Sequence, residues 1–350
     1  MFQSPFRFGQ EVIDLRETWQ ERLARQLEHS VLRGGRCGFW LTSRMHPLKG
    51  WSVPVWLKRD DELGPYGSKW RKMQGLAWAI QEEGADTILA WGGSRSQHLL
   101  GLLALGRELG LDVRLLVKEG SPRQAQGPDL LWPLLTTPDT VTMISRAEWP
   151  QVEHRAQKEQ AALTAAGKKV FLVREGGAQV EALWGALTLP LDIVAQEKVL
   201  GFSFTRIWVD AGTGLTAQAL ILGLGLLQHR AQVEVLLCAG DAGTFARDLE
   251  RRRGELSVAL QTEIPLAAWR CHVPGTARSF GSTNQAVFLE IARTAREHGV
   301  LLDPIYSAKL LMKVREAQPE WAPEDRVLIL HSGGMLSLFG FPAELQALTF

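Results

Sequence analysis

Along most of the chain, short apolar runs alternate with segments of helical periodicity, and several of the runs end in a glycine turn. Residues 53–58, 87–91, 113–117, 169–173, 205–210, 233–238 and 327–330 read as strands. Residues 75–83, 99–109, 153–166, 216–228 and 288–298 read as helices. Such alternation predicts parallel β-α-β units with right-handed crossovers. Sheets of this kind bind ligands at the carboxyl ends of strands, where the strand order reverses, so glycine turns after strands are the candidate functional positions. Ahead of them, residues 1–35 place Val12, Leu15, Trp19, Leu23 and Leu27 three or four apart, as an amphipathic helical leader does. Residues 119–128 read as a loop, and Arg251-Arg252-Arg253, set among acids, as a solvated helix face.

A length of 350 residues exceeds most single cores and suits two packed units. Apolar residues at 45% and charged residues at 22% give the balance of a globular rather than a disordered chain. Lys and Arg total 39 against 38 Asp and Glu, so bulk charge recruits neither a nucleic-acid backbone nor an anionic membrane. Cys37, Cys238 and Cys271 are far apart and odd in number, which supports neither a disulfide framework nor a zinc site. No apolar stretch approaches the roughly 20 residues of a membrane span, and the N-terminus lacks the apolar core of a signal peptide. The expectation is a cytoplasmic protein without nucleic-acid or membrane partners. Tyrosine is scarce: Tyr66 and Tyr306 stand against 13 Trp and 13 Phe.

Five segments could carry chemistry. Asp210-Ala211-Gly212-Thr213-Gly214-Leu215-Thr216 leaves a strand and enters a helix, and reads either as an anion cradle of backbone N–H groups or as a tight left-handed turn. It lacks the lysine of a P-loop and the spacing of a dinucleotide fingerprint. In Tyr66-Gly67-Ser68-Lys69-Trp70-Arg71-Lys72, Lys69 is either a surface charge or a Schiff-base lysine activated by the cationic field of Arg71 and Lys72. Ser96 and Gln97, in Trp91-Gly92-Gly93-Ser94-Arg95-Ser96-Gln97-His98, either cap a helix or face a cleft. Tyr306, in Leu302-Asp303-Pro304-Ile305-Tyr306-Ser307-Ala308-Lys309, is either a packed ring or an acid-base group. His331-Ser332-Gly333-Gly334 follows the last strand.

In this order the segments resemble the 1-aminocyclopropane-1-carboxylate (ACC) deaminase/D-cysteine desulfhydrase family of pyridoxal-phosphate (PLP) enzymes. KRDD with YGSKWRK, GGSRSQH, AGTGLTAQ, LDPIYSAK and HSGG stand where that family reads KRDD with GGNKxRK, GGxQSNH, GSGGTxAG, LDPVYTGK and HTGG. Glu175-Gly176-Gly177 is similar to the family's EGG, and the likeness spans residues 47 to 341. The resemblance implies the two-domain α/β fold of the tryptophan synthase β type, with parallel sheets and helices on both faces. Residues 1–72 and 181–350 would form the larger, PLP-binding domain, with a helical extension over 1–45, and 73–180 the smaller.

Carried over by position, Lys69 would hold PLP covalently and Lys72 would reach toward its phosphate, cradled by Gly212, Thr213, Gly214, Leu215 and Thr216. Ser96 would face the substrate, Gln97 the ring hydroxyl, and His98 would line the pocket. Tyr306 would stack by the cofactor and move protons, and Ser332 would face the pyridine nitrogen. A hydroxyl there holds that nitrogen protonated less well than an aspartate, which weakens the electron sink and favours loss of a β-leaving group. Lys69 is then the base for the Cα proton.

Four positions depart from the family pattern: Gln97 for Asn, Ser68 for Asn, Phe280 near a missing Tyr, and Ser307 where ACC deaminases carry Glu. Opening a cyclopropane draws on the last two, so the resemblance implies a D-cysteine desulfhydrase-like lyase on a small amino acid, releasing pyruvate and ammonia. The alternatives are ACC deaminase, a β-replacement synthase of a specialised pathway, and a diverged PLP- or amino-acid-binding homologue. The implied assembly is a homodimer.

Overall fold

The computed structural model describes residues 42–120 and 127–348, so the expected leader over 1–35 and most of the 1–45 extension lie outside the described residues. Ten strands follow in order: β1 (Met45–Leu48), β2 (Val55–Lys58), β3 (Thr87–Gly93), β4 (Asp112–Lys118), β5 (Val141–Ile144), β6 (Val170–Val173), β7 (Arg206–Ala211), β8 (Gln232–Leu237), β9 (Trp269–His272) and β10 (Val327–Leu330). The helices are α1 (Lys69–Glu82), α2 (Gln97–Leu109), α3 (Val152–Ala165), α4 (Val180–Ala186), α5 (Thr188–Leu200), α6 (Leu215–Leu226), α7 (Ala242–Leu260), α8 (Gln285–His298), α9 (Ser307–Ala317) and α10 (Pro342–Gln346).

The strands form two sheets. One runs β1-β2-β10-β7-β8-β9, parallel except for the antiparallel β1, and the other runs β5-β4-β3-β6, parallel throughout. This is the expected α/β architecture. Parallel strands covered on both faces need apolar residues at every position, and β10 is buried at all four. Helix α6 is apolar all round for the same reason and is buried along most of its length.

Helix α1 begins at Lys69, six residues before the start that periodicity predicts, because Gly67 and Ser68 form a tight turn rather than a flexible lead-in. It crosses α4 at a glycine pair. A Cβ on Gly185 would stand 1.9 Å from the Arg71 carbonyl oxygen, and one on Gly75 would stand 2.0 Å from that of Glu181. That backbone-to-backbone approach fixes where Lys69 and Lys72 lie.

Candidate active site

The site is assembled where the carboxyl ends of β7 and β10 meet the start of α1. β10 pairs in parallel with β7, so the turn after each strand lies beside the other. The Lys69 segment joins them: Ser68 N–H donates to the Ser332 carbonyl at 2.9 Å, and a Cβ on Gly67, whose φ is +58°, would stand 2.2 Å from that same oxygen. Only glycine fits there. From the other sheet, the turn after β6 closes on the turn after β7, since a Cβ on Gly176 would lie 2.6 Å from the Thr213 side chain.

Lys69 is partly accessible but surrounded by protein, and among the described residues its Nζ has no ion pair or hydrogen bond. Burial lowers its pKa, against the opposing pull of Asp210 and Asp303. The Lys72 ammonium is pushed down to about 7, first by burial and then by the charges of Lys69 and Arg252. Its one hydrogen bond is a long one, 3.4 Å to the Gly176 carbonyl, and among the described residues no carboxylate pairs with it. Gly214, at φ +80°, opens α6, and no side chain caps that end, so first-turn N–H groups are left for a ligand. The turn over 212–216 therefore combines a left-handed Gly214 with a cradle of N–H groups that no side chain among the described residues caps.

Tyr306 reaches this cradle from α9. A Cβ on Gly212 would stand 3.0 Å from the Tyr306 hydroxyl, so the glycine makes room for the ring. Asp303 positions the tyrosine: fully buried, it accepts from the N–H groups of Ile305, Tyr306 and Ser307, each at 2.8 Å, and from the Ser307 hydroxyl at 2.6 Å. Burial, then the charges of Asp210 and Asp303, raises the Tyr306 pKa, so its phenol stays protonated. Phe280 lies 6.1 Å from that ring between centroids, and the residue is 62% exposed.

On α2, Ser96 caps the helix by accepting from Leu99 N–H at 3.3 Å. Gln97 Nε2 donates to the Gly334 carbonyl and to Ser337 Oγ, both at 3.0 Å. A carbonyl can only accept, so this fixes the amide's orientation and leaves Oε1 buried without a partner. His98 is buried, and among the described residues both its ring nitrogens are unpartnered. Burial, then Lys72 and Lys69, holds it well below the usual histidine range, and so neutral.

Two readings of basic residues need correction. Arg71 supplies no free cationic field to Lys69, because its guanidinium is bound by Asp60 at 2.8 Å and Asp192 at 2.7 Å, in a buried cluster with Lys58. Arg252 is not on a solvated face. It is 1% exposed, with Nε and Nη1 unpartnered among the described residues, while Arg251 and Arg253 pair with surface acids. Its signal is its register: Phe245, Leu249, Arg252, Leu256 and Leu260 form one buried stripe. Sequence reasoning sets Asp210 at the head of the glycine turn without giving it a role; its Oδ2 accepts from Ser332 Oγ at 2.7 Å.

A mainly parallel α/β fold with two lysines of lowered pKa and an uncapped helix start has the groups that a phosphate-ester cofactor reacting with an amine requires. The chain belongs to the pyridoxal-phosphate dependent enzyme family, which it matches over residues 42–333. It is 26% identical over 302 residues to the D-cysteine desulfhydrase of Serratia proteamaculans, covering 82% of this chain and 88% of the relative. It is 24% identical to the mitochondrial bifunctional D-cysteine desulfhydrase/1-aminocyclopropane-1-carboxylate deaminase of Arabidopsis thaliana, covering 84% of this chain and 77% of the relative. A solved ACC deaminase homologue has a TM-score of 0.79 at 21% identity, over 92% of this chain and 98% of that one. The processed threonine deaminase isoform 2 of Solanum lycopersicum has a TM-score of 0.63 at 11% identity, over 94% and 88%. These solved structures share the fold. The described residues fit the cofactor: no carboxylate among them pairs with Lys72, and the helix start at Gly214 has N–H groups that no side chain caps.

Proposed function

We propose that the protein is a PLP-dependent lyase acting on a small amino acid in the manner of a D-cysteine desulfhydrase, releasing pyruvate and ammonia. Lys69 would carry the cofactor, Lys72 and the turn over 212–216 its phosphate, and Ser332 its ring nitrogen. When bound, the cofactor supplies a sink for negative charge at the substrate's Cα. Lys69, its pKa lowered by burial, takes the Cα proton. Tyr306, held protonated beside Gly212, hydrogen-bonds the departing β-substituent, which for cysteine leaves as hydrosulfide and is protonated by water. Water then converts the released 2-aminoacrylate to pyruvate and ammonia.

One observation carries the choice of elimination over ring opening. Ser307, at the position of the ACC deaminase glutamate, spends its hydroxyl on Asp303 and is 3% exposed. Phe280 adds no hydroxyl in compensation. The proposal includes domain boundaries near residues 72 and 180, the first falling inside α1, and a homodimer that light scattering would reveal.

The test is a panel of D- and L-amino acids with β-leaving groups, and ACC, given to the PLP-loaded protein. Equimolar pyruvate and sulfide from D-cysteine, with neither 2-oxobutyrate nor ammonia from ACC, is the expected result. A spectral response to amino acids with no 2-oxo acid or ammonia from any of them would instead indicate a binding protein without turnover.

A further inference from the structure

A lone hydroxyl at the ring-nitrogen position predicts a weak electron sink, yet Ser332 does not stand alone. Its Oγ donates to Asp210 Oδ2 at 2.7 Å, and each residue is 9% exposed. The contact is fixed by the sheet: Asp210 lies near the end of β7, Ser332 follows β10, and these strands are parallel neighbours. A serine hydroxyl has one proton. Once that proton is given to a carboxylate, the oxygen can offer a third group only lone pairs.

We infer that Asp210 fixes Ser332 as a hydrogen-bond acceptor toward the cofactor's ring nitrogen, so that PLP is held here as its protonated pyridinium. The inference rests on the placement of Ser332 under the proposed function. The charge arrangement is consistent with it. Burial raises the Asp210 carboxyl to about 6, the Ser332 hydrogen bond opposes that, Asp303 adds to it, and Lys69 and His331 pull it back. Asp210 is therefore mostly ionised at pH 7.5, and a pyridinium one hydroxyl away favours that ionised form. The sink at Cα is then stronger than a hydroxyl alone supplies. Ser332 acts as the contact, and Asp210 as the positioning residue behind it.

PLP labelled with 15N in its ring, bound to the full-length protein at pH 7.5, tests this directly. The expected ring resonance is that of a pyridinium. Asp210→Asn, which keeps the shape but offers an N–H to Ser332 Oγ, frees the hydroxyl proton for the ring and moves the resonance to the neutral pyridine range. A neutral ring in the native protein, or a pyridinium that survives Asp210→Asn unchanged, overturns the inference. Borohydride trapping on the same sample separates the two levels. Label on Lys69 with a neutral ring removes only the role of Asp210, whereas label on another lysine removes the site reading as well.

Discussion

Burial and the neighbouring charges of Lys69 and Arg252 leave Lys72 half-protonated near pH 7, against an ordinary lysine value near 10.4. A bound phosphate dianion restores the charged form, so binding draws in a proton once the pH exceeds the depressed value. The Lys69→Ala protein removes covalent attachment from the measurement, and with it the Lys69 charge that helps to lower Lys72, so burial and Arg252 alone then depress this lysine. Its affinity for PLP should be greatest on the acid side and fall as the pH rises above 7 toward 9, by up to about tenfold per unit once the remaining depressed value is passed. A flat profile over that range would mean Lys72 does not meet the phosphate. That Lys69 and Lys72 stand together at the start of one helix is legible in the sequence through the likeness of YGSKWRK to the family's GGNKxRK. Arg252 and Asp210 are not: one lies in a run of like charges and the other at the end of an apolar strand, and only the packing shows what each faces.

At the scale of elements, the central strands are readable in the sequence, and of the four edges among the described residues only β6 is. Residues 327–330, flanked by β2 and β7, read to the residue as β10, because burial on both faces demands an unbroken apolar run. The three strands that escape such a reading, β1, β5 and β9, all lie at sheet edges, where Pro47, Thr142 and Arg270 are tolerated and the apolar signal fades. Helix α9 escapes it too, yet its start positions Tyr306. Asp303→Ala removes the acceptor of three backbone N–H groups and one hydroxyl there. It should destabilise the protein by about 2 to 3 kcal/mol in urea unfolding and lower turnover with it. Unchanged stability would show that the cap does not hold the tyrosine.

Across the whole molecule, the five segments are scattered over more than 250 residues of sequence and meet between two sheets. Their order is visible in the chain; their meeting depends on long-range pairing such as Ser68 with Ser332 and Gly176 with Thr213. Gln97 joins the sheets as well, since α2 flanks the four-stranded sheet while Gly334 and Ser337 follow β10 of the six-stranded one. With its amide nitrogen committed to both partners there, Gln97 acts as a latch between the two halves. Gln97→Ala should therefore speed hydrogen exchange across residues 335–340 several-fold in the cofactor-free protein. Exchange at the native rate would show that the latch is not needed to hold that segment.

The central claim is that these segments form one PLP site with Lys69 as its covalent anchor. Borohydride reduction of the PLP-loaded protein, followed by peptide mapping, tests it most directly. The account predicts that the visible absorbance is bleached, that a single pyridoxyl label lies on Lys69, and that the Lys69→Ala protein lacks the absorbance from the start. A label on Lys72 or any other lysine, or a Lys69→Ala protein that keeps the native colour, would contradict it.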